Sequence, residues 1–471
     1  MPRFVESEFR KFLACGLLCH GFVRVRCTAC GDDQIVAFSC QRRGFCPSCC
    51  GRRMVDTAAH LVDRVFPEVP TRQWVLTLPI PLRYRVAYDR NLCSDVLAVF
   101  IRTVLRSLRH RAKKHLGIDR GQSGSVTQIQ RWGGAVNLNV HFHSIFLDGV
   151  YAVYADPDNT GKPEFFSLPA PDDDEIARVA AATARGIIRL LERRGLLSDY
   201  GDAAEDALQN EEPLLAECAA ASLQYRIATG ARTGKPVMRL GDRIEAEVVE
   251  FVPGKSCASV QGFSLHAGVG VNAHDRARLE RLCRYIARPP IATKRLSELS
   301  DGRIAYALRH PWRDGTTHVV FTGVELLEKL AVLTPSPRGN ITRYHGILAP
   351  GAKWRGTVVR DRPKAESRSR TGPPPLDKAN GAHCSQQATV ATMEVAPGDP
   401  PSLRERRLSW AELMKRVFRE DVLRCKKCGG RAAVISAIAQ PKGVEAILLC
   451  LGLAVRAPPP TTPARQIPFD L

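Results

Sequence analysis

Short β-rich segments along the chain predict several strands. Residues 73–78 have strand-forming side chains and are followed by Pro79 and Pro81, which end a strand. Residues 125–131 and 137–140 show comparable patterns, and the second continues into His141-Phe142-His143. Two more β-like segments occupy residues 245–252 and 263–271.

Helices are predicted where apolar residues recur every three to four positions. In residues 95–115 the apolar stripe contains Ile101, Val104 and Leu108. Residues 174–194 begin with acidic side chains, and residues 274–288 end before Pro289-Pro290. With a fourth helix predicted over residues 52–65, strands and helices are mixed throughout the chain.

Changes in composition divide the chain into six predicted parts. A cysteine-rich unit is followed by a long region of strands and helices and by an extension of that region. An Arg-, Ser-, Pro- and Gly-rich stretch then predicts a disordered linker. A small compact module with a Cys-x2-Cys motif and a proline-rich extended tail follow it. The predicted bounds are 1–66, 67–300, 301–360, 361–407, 408–455 and 456–471.

Charge favours a polyanionic partner. The 471 residues include 68 Lys and Arg against 48 Asp and Glu, a net charge of +20, and this basic balance favours nucleic acid. An apolar run of 18 or more residues, long enough to span a bilayer, is not found. The start of the chain lacks a convincing cleavage site for export, so a cytoplasmic protein is expected.

Basic side chains gather at three places in the sequence. One group lies near the cysteines, at Arg42, Arg43, Arg52 and Arg53, and the other two lie on predicted helices. Such ridges can follow a phosphate backbone, although solvated helix faces carry similar charges. The residues predicted to contact DNA are Arg102, Arg106, Arg109, Lys113, Arg281, Arg284 and Arg288.

Half of the 16 cysteines lie in the first 50 residues, and their spacing predicts a structural zinc site. Two Cys-x2-Cys pairs are separated by fifteen residues, which suits four thiolates around one ion. The predicted zinc ligands are Cys27, Cys30, Cys46 and Cys49. Cys40 is an alternative member, and Cys15, Cys19, His20 and Cys50 are candidates for a second ion. Cys425 and Cys428 supply only two ligands, which is weak evidence for a separate site.

His141 and His143 are candidate ligands of a divalent metal. Successive strand residues alternate between faces, so both imidazoles point one way while Phe142 enters the core. Neutral imidazole binds divalent metals well. A half-buried strand with two hydrogen-bonded histidines is the simpler alternative.

Tyr285 is a candidate nucleophile because it is surrounded by Arg281, Arg284 and Arg288. A phenol titrates near ~10, so attack at neutral pH needs cations or a base that favour phenolate. If the His pair holds a cation nearby, phenolate attack on a phosphate would nick DNA. An aromatic residue packed in the core is the alternative for Tyr285.

Several separated motifs together resemble the rolling-circle HUH transposases of the insertion-sequence-91 class. The resemblance covers most of the chain. Residues 37–40 and 44–49 are similar to that class's zinc-binding domain. The remaining motifs are residues 74–79, 137–143, 147–150, 282–290, 343–346, Trp410 and residues 425–430.

This resemblance implies an α+β fold in which an HUH-type antiparallel sheet is flanked by helices, with an N-terminal zinc-binding domain and a small C-terminal helical module. It implies Mg²⁺ or Mn²⁺ at His141 and His143, cleavage of single-stranded DNA at element ends, and a 5′-phosphotyrosine at Tyr285. Gln130 is the expected third ligand, with Gln128 as an alternative.

Some members of the class use two tyrosines four residues apart, but Arg281 and Pro289 occupy those positions here. A single-tyrosine enzyme is therefore expected, with Tyr344 as a distant second candidate. The sequence has no P-loop, so host replication or helicase factors or superhelical strain must open the duplex. Alternative functions are an HUH replication initiator or relaxase, or a zinc-dependent DNA-binding regulator without catalysis.

Overall fold

The computed structural model describes residues 1–153, 161–197, 206–241, 255–337, 339–359, 410–418 and 421–457. The predicted strand at 245–252 and the predicted linker at 361–407 lie outside these residues, as does the tail from residue 458 onward. Among the described residues, none of the helices has both the length and the apolar character needed to cross a bilayer.

The helices in chain order are α1 Arg3–Leu13, α2 Pro47–Arg64, α3 Ile80–Tyr88, α4 Arg90–Leu116, α5 Asp173–Arg193, α6 Ala207–Glu211, α7 Pro213–Leu223, α8 Arg276–Ile286, α9 Gly323–Leu333, α10 Arg355–Val358, α11 Trp410–Phe418 and α12 Pro441–Cys450. The strands are β1 Phe22–Cys27, β2 Asp33–Ala37, β3 Thr71–Thr77, β4 Gly124–Trp132, β5 Leu138–Leu147, β6 Gly149–Ala152, β7 Glu164–Ser167, β8 Met238–Gly241, β9 Cys257–Val260, β10 Phe263–Val271, β11 Leu296–Glu298, β12 Ile304–Ala307, β13 Thr316–Phe321, β14 Thr342–Gly346 and β15 Ala432–Ile438.

A six-stranded antiparallel sheet forms the centre of the fold, with the strand order β14-β4-β5-β3-β10-β9. Its central strand, β5, is buried along almost its whole length because helices cover both faces. The prediction of an α+β fold with an antiparallel sheet and flanking helices is confirmed. The predicted helix at 95–115 corresponds to α4, and the predicted helix at 274–288 contains α8.

The two faces of this sheet pack against different helices. On one face, Phe142 and Phe146 of β5 join the main apolar cluster with Phe100 of α4. On the other face, Ile145 and Leu147 pack with apolar residues of α2 and α8. The helix that carries Tyr285 is therefore held against the same face as the His pair.

The N-terminal and C-terminal parts of the chain form one unit around a second sheet. Its strand order is β15-β1-β2, so the C-terminal strand pairs with the first strand of the chain. Val444 and Leu448 of α12 pack on Phe22 at the start of β1. The C-terminal module predicted at 408–455 therefore packs directly on the cysteine-rich unit predicted at 1–66.

Candidate functional site

The two histidines lie at the centre of the six-stranded sheet, on strand β5. His141 and His143 project from one face, and their ring centroids are 4.8 Å apart. Their exposed fractions are only 9% and 4%. The structure therefore brings the two imidazoles together as strand alternation predicts.

Tyr285 lies beside this pair, in the last turn of α8. Its ring centroid is 5.7 Å from that of His143, and the two rings are nearly perpendicular. Leu282, Cys283 and Ile286 of α8 are buried against the sheet, whereas the Tyr285 side chain is 37% exposed. A long-range packing contact therefore joins an imidazole and a partly exposed phenol that are far apart in the sequence.

Two guanidinium groups lie over the Tyr285 ring. Arg288 is 4.5 Å from the ring centroid, and Arg309 approaches to 5.5 Å from the connection between β12 and β13. Arg288 was predicted as a DNA-binding residue, but Arg309 was not. No sequence spacing relates Arg309 to Tyr285, because only folding brings the connection between β12 and β13 beside α8.

Hydrogen bonds and burial determine the state of both imidazoles. Nδ1 of His141 is 2.8 Å from the backbone oxygen of Asn139, which can only accept, so this ring presents Nε2 as a lone pair. Burial lowers the pKa of His141 to about 4 and lowers the pKa of His143 well below its ordinary value. Both rings are therefore neutral at pH 7.

Gln130 and Gln128 pair with His141 and His143 across β4 and β5, so all four side chains share one face. The Gln130 amide nitrogen donates to the backbone oxygen of Ile286 at 2.6 Å, which leaves its oxygen Oε1 buried with no partner among the described residues. Oε1 of Gln128 instead accepts from Thr342. Of these two candidate ligands, only Gln130 has a free oxygen.

His143 carries another buried atom without a partner. Its Nε2 has no hydrogen-bond partner in the described part of the chain, while the side-chain amide of Gln73 lies 2.8 Å from Nδ1. A buried polar atom without a partner costs free energy, and such atoms gather where a ligand is bound. Gln130 and His143 thus each carry one buried atom without a described partner, and both side chains lie on the same face of the sheet.

The other predicted DNA-binding residues lie in different surroundings. Arg281 is exposed, and Arg284 makes an ion pair with Glu280 on the same helix at 2.5 Å. α4 packs on the opposite face of the sheet, and its four predicted DNA-binding side chains are exposed. The structure therefore does not bring this ridge to the Tyr285 site. We call this set the α4 ridge, and its members are Arg102, Arg106, Arg109 and Lys113.

Arginines of the cysteine-rich unit lie closer to Tyr285 than the α4 ridge does. A cavity beside the C-terminal end of α8 is lined by Arg43, Arg53 and Arg288. Arg43 and Arg53 also line a second cavity together with Arg42. The two cavities share Arg43 and Arg53, and we call the set Arg42, Arg43, Arg53 and Arg288 the basic groove.

The predicted grouping of four cysteines around one zinc ion is wrong. Cys46 and Cys49, at the start of α2, cluster with Cys15 and Cys40, and all four sulfurs lie within 4.8 Å of one another. We call this set the first cysteine cluster. Hydrogen bonds with the side chains of Cys40 and Cys46 lower the pKa of Cys15 to about 7, which favours thiolate.

Cys27 and Cys30 belong to another set, whose other members are Cys425 and Cys428. We call it the bridging cysteine cluster. The two sets form because pairing of β15 with β1 brings the C-terminal Cys-x2-Cys motif beside the first one. Sequence spacing alone could not reveal a partner almost four hundred residues away. Cys19, His20 and Cys50 belong to neither set.

Two segments of the chain match known protein families. Residues 1–78 match the family described as "Transposase zinc-binding domain", in its insertion-sequence-91 form, which supports structural zinc. Residues 124–355, which include the His pair, Gln130 and Tyr285, match the family described as "Putative transposase". No curated protein and no solved structure gives a significant match. Transposases cut and join DNA, so DNA is the partner of this protein. With both matched segments in order along one chain, the protein belongs to the transposases of the insertion-sequence-91 type.

Proposed function

We propose that this transposase nicks single-stranded DNA at element ends with Tyr285 as the nucleophile and transfers the strand by a rolling-circle route. The observation that carries the proposal is the 5.7 Å separation of the Tyr285 and His143 rings. A buried neutral His pair next to a partly exposed phenol and two guanidinium groups is expected of an HUH-type nuclease. A solely structural histidine pair would not need these neighbours.

The residues at the site fit a divalent cation. Nε2 of His141, Nε2 of His143 and Oε1 of Gln130 are the proposed ligand atoms, because the last two are buried without partners among the described residues. A Mg²⁺ or Mn²⁺ ion held there would withdraw charge from the scissile phosphate.

Gln73 is proposed to orient His143. If the Gln73 amide turns its oxygen toward Nδ1, that oxygen accepts the Nδ1 proton and leaves Nε2 as a lone pair. This flip exchanges only the positions of the nitrogen and oxygen atoms of the Gln73 side-chain amide. Gln73 would thus act on the ligand rather than on the DNA.

The chemistry proposed for Tyr285 is a phosphoryl transfer. The phenolic oxygen gives its proton to solvent and forms a bond to phosphorus, the bond from phosphorus to the 3′ oxygen breaks, and that oxygen takes up a proton from solvent to leave as a 3′ hydroxyl. Arg288 and Arg309 lie within 4.5 and 5.5 Å of the ring centroid, where their charges would stabilise the negative charge of the phosphate that the phenolic oxygen attacks. The resulting 5′-phosphotyrosine retains the energy of the broken bond, so a new 3′ hydroxyl can later displace Tyr285.

The proposed route of the strand toward Tyr285 is the basic groove. Its arginines come from the zinc-binding domain and from the end of α8, so they can contact phosphates on both sides of the site. The α4 ridge lies across the sheet and would meet only DNA that wraps around the molecule. We therefore assign the α4 arginines at most a secondary role in DNA binding.

The test is formation of a covalent protein–DNA adduct. Purified full-length protein is mixed with Mg²⁺ or Mn²⁺ and a single-stranded element end, then analysed on a denaturing gel. Wild type should give an adduct that survives denaturation, and Tyr285→Phe should give none. Tyr344→Phe is the matched control, because Tyr344 lies on β14 in the same sheet, and it should retain the adduct. An adduct that persists in Tyr285→Phe would overturn the proposal.

A further inference from the structure

The bridging cysteine cluster joins the two ends of the chain. Sγ of Cys27 is 3.6 Å from Sγ of Cys428, and Sγ of Cys30 is 3.7 Å from Sγ of Cys425. Four thiolates at ~2.3 Å from a zinc ion in a tetrahedron lie about 3.8 Å apart. The observed separations therefore match the edges of such a tetrahedron.

The two Cys-x2-Cys turns have the same local backbone structure. Gly31 and Gly429, which follow the second cysteine of each turn, have φ angles of 74° and 73°. Each glycine also donates its backbone N–H to the backbone oxygen of the first cysteine of its turn, at 3.1 and 2.9 Å. Two matching turns that face each other with four sulfurs are the arrangement of a closed structural zinc site.

Close packing around the sulfurs supports a built site. A Cβ at Gly430 would meet the Ala29 side chain at 2.8 Å and the sulfurs of Cys428 and Cys27 at 3.2 and 3.3 Å. Only glycine leaves room for the two turns to approach this closely. The backbone N–H of Thr28 also donates to the backbone oxygen of Arg431, which fixes one turn against the other.

Helix α11, which precedes Cys425 and Cys428 in the chain, also contacts α8, the helix of Tyr285. Leu413 of α11 is buried in a cluster with Met54 and Val55 of α2, and Ala287, just after α8, packs against that cluster. Arg416 of α11 donates to Asp63 of α2 at 3.1 Å and to Glu280 of α8 at 2.7 Å. α11 thus contacts α8 directly at Glu280, and Ala287 packs against the apolar cluster that contains Leu413.

We propose that Cys27, Cys30, Cys425 and Cys428 bind one structural zinc ion that fastens the C-terminal segment to the N-terminal domain, and that α11 thereby holds α8 in place. The first part stands on the geometry of the sulfurs alone. In the second part, Arg416 is a positioning residue that holds α8. This part rests on the proposed function only because α8 is taken to carry the nucleophile.

Zinc content tests the first part. The purified full-length chain should contain two zinc ions, and the double variant Cys425→Ser/Cys428→Ser should contain one. Cys450→Ser is the matched control, because this exposed cysteine of the same segment belongs to neither cluster, and it should retain two. A double variant that still binds two ions would overturn the zinc assignment. A wild type with a single ion would also overturn it, if Cys46→Ser/Cys49→Ser removes that ion and Cys425→Ser/Cys428→Ser does not.

Hydrogen exchange tests the second part without measuring DNA cleavage. Arg416→Met should keep both zinc ions, but backbone exchange in residues 276–286 should rise by roughly tenfold, because charge-assisted bonds to two helices are lost. Lys415→Met is the control and should leave exchange in α8 unchanged, since the ion pair of Lys415 among the described residues is with the exposed Asp421 and not with α8. Unchanged exchange in α8 of Arg416→Met would overturn the positioning role. Failure of the Tyr285 adduct test would leave both of these readouts unaffected.

Discussion

The two faces of the six-stranded sheet are made by the same strands but bury different chemistry. Around Phe142 and Phe146, one face is an apolar core in which α4 and α5 cover the strands. The other face buries His141, His143 and Gln130 under α8 and leaves two of their polar atoms without partners among the described residues. Packing explains the first face, whereas the second carries unfavourable burial that a bound cation would relieve.

The largest expected contrast is between neighbouring residues of β5. Phe142→Ala should lower the free energy of unfolding by about 3–5 kcal/mol, because it opens a cavity in the apolar core. His141→Ala should change it by less than about 2 kcal/mol but reduce adduct formation by about a hundredfold or more. Denaturant unfolding and the adduct gel measure the two effects. If His141→Ala still forms the adduct at the wild-type rate, this histidine is not a ligand.

Acid should destabilise the polar face selectively. Burial holds the pKa of His141 at about 4 in the folded protein, below its ordinary value of 6.5. The unfolded chain therefore binds more protons between these values, and the free energy of unfolding falls as pH decreases from about 6.5 to about 4. The loss from this residue is at most about 3 kcal/mol.

Chelator-treated wild type and His141→Gln should be compared by urea unfolding at several pH values in that window. The variant should lose less stability than wild type as pH falls. Parallel losses in the two proteins would contradict the buried neutral state of His141.

A smaller effect is expected from the residue that orients His143. Gln73→Leu removes the amide next to Nδ1 and should weaken cation binding by about tenfold, with little change in secondary structure. Titration of Mn²⁺ by electron paramagnetic resonance measures this directly. Thr71→Val is the control. Thr71 lies on the same strand and the same face as Gln73 but is further from His143, so this variant should bind Mn²⁺ normally. Equal affinities for wild type and Gln73→Leu would remove Gln73 from the site.

Local patterns in the sequence predicted most of the catalytic fold. Strand alternation around His141 and His143 and the periodic apolar residues of α8 are local signals, and β5 and α8 occur where they were predicted. The resemblance to a known family supplied the pairing of the histidines with Tyr285. The structure adds the free oxygen of Gln130, which distinguishes it from Gln128.

Features that depend on distant pairing could not be predicted. The four N-terminal cysteines had the spacing of one zinc site, but the pairing of β15 with β1 assigns Cys27 and Cys30 to Cys425 and Cys428. Arg309 likewise reaches Tyr285 only through the packing of the sheet that contains β12 and β13. The exposed α4 ridge had a clear sequence pattern, but that pattern does not say which face of the sheet α4 covers.

Peptide mapping of the DNA-linked protein tests the central claim most directly. Wild-type protein is allowed to cut a single-stranded element end in Mn²⁺, the complex is digested, and the peptide bearing the nucleotide is sequenced by mass spectrometry. We expect a 5′-phosphate linked to the phenolic oxygen of Tyr285. Attachment to Tyr344, or to any other residue, would contradict it.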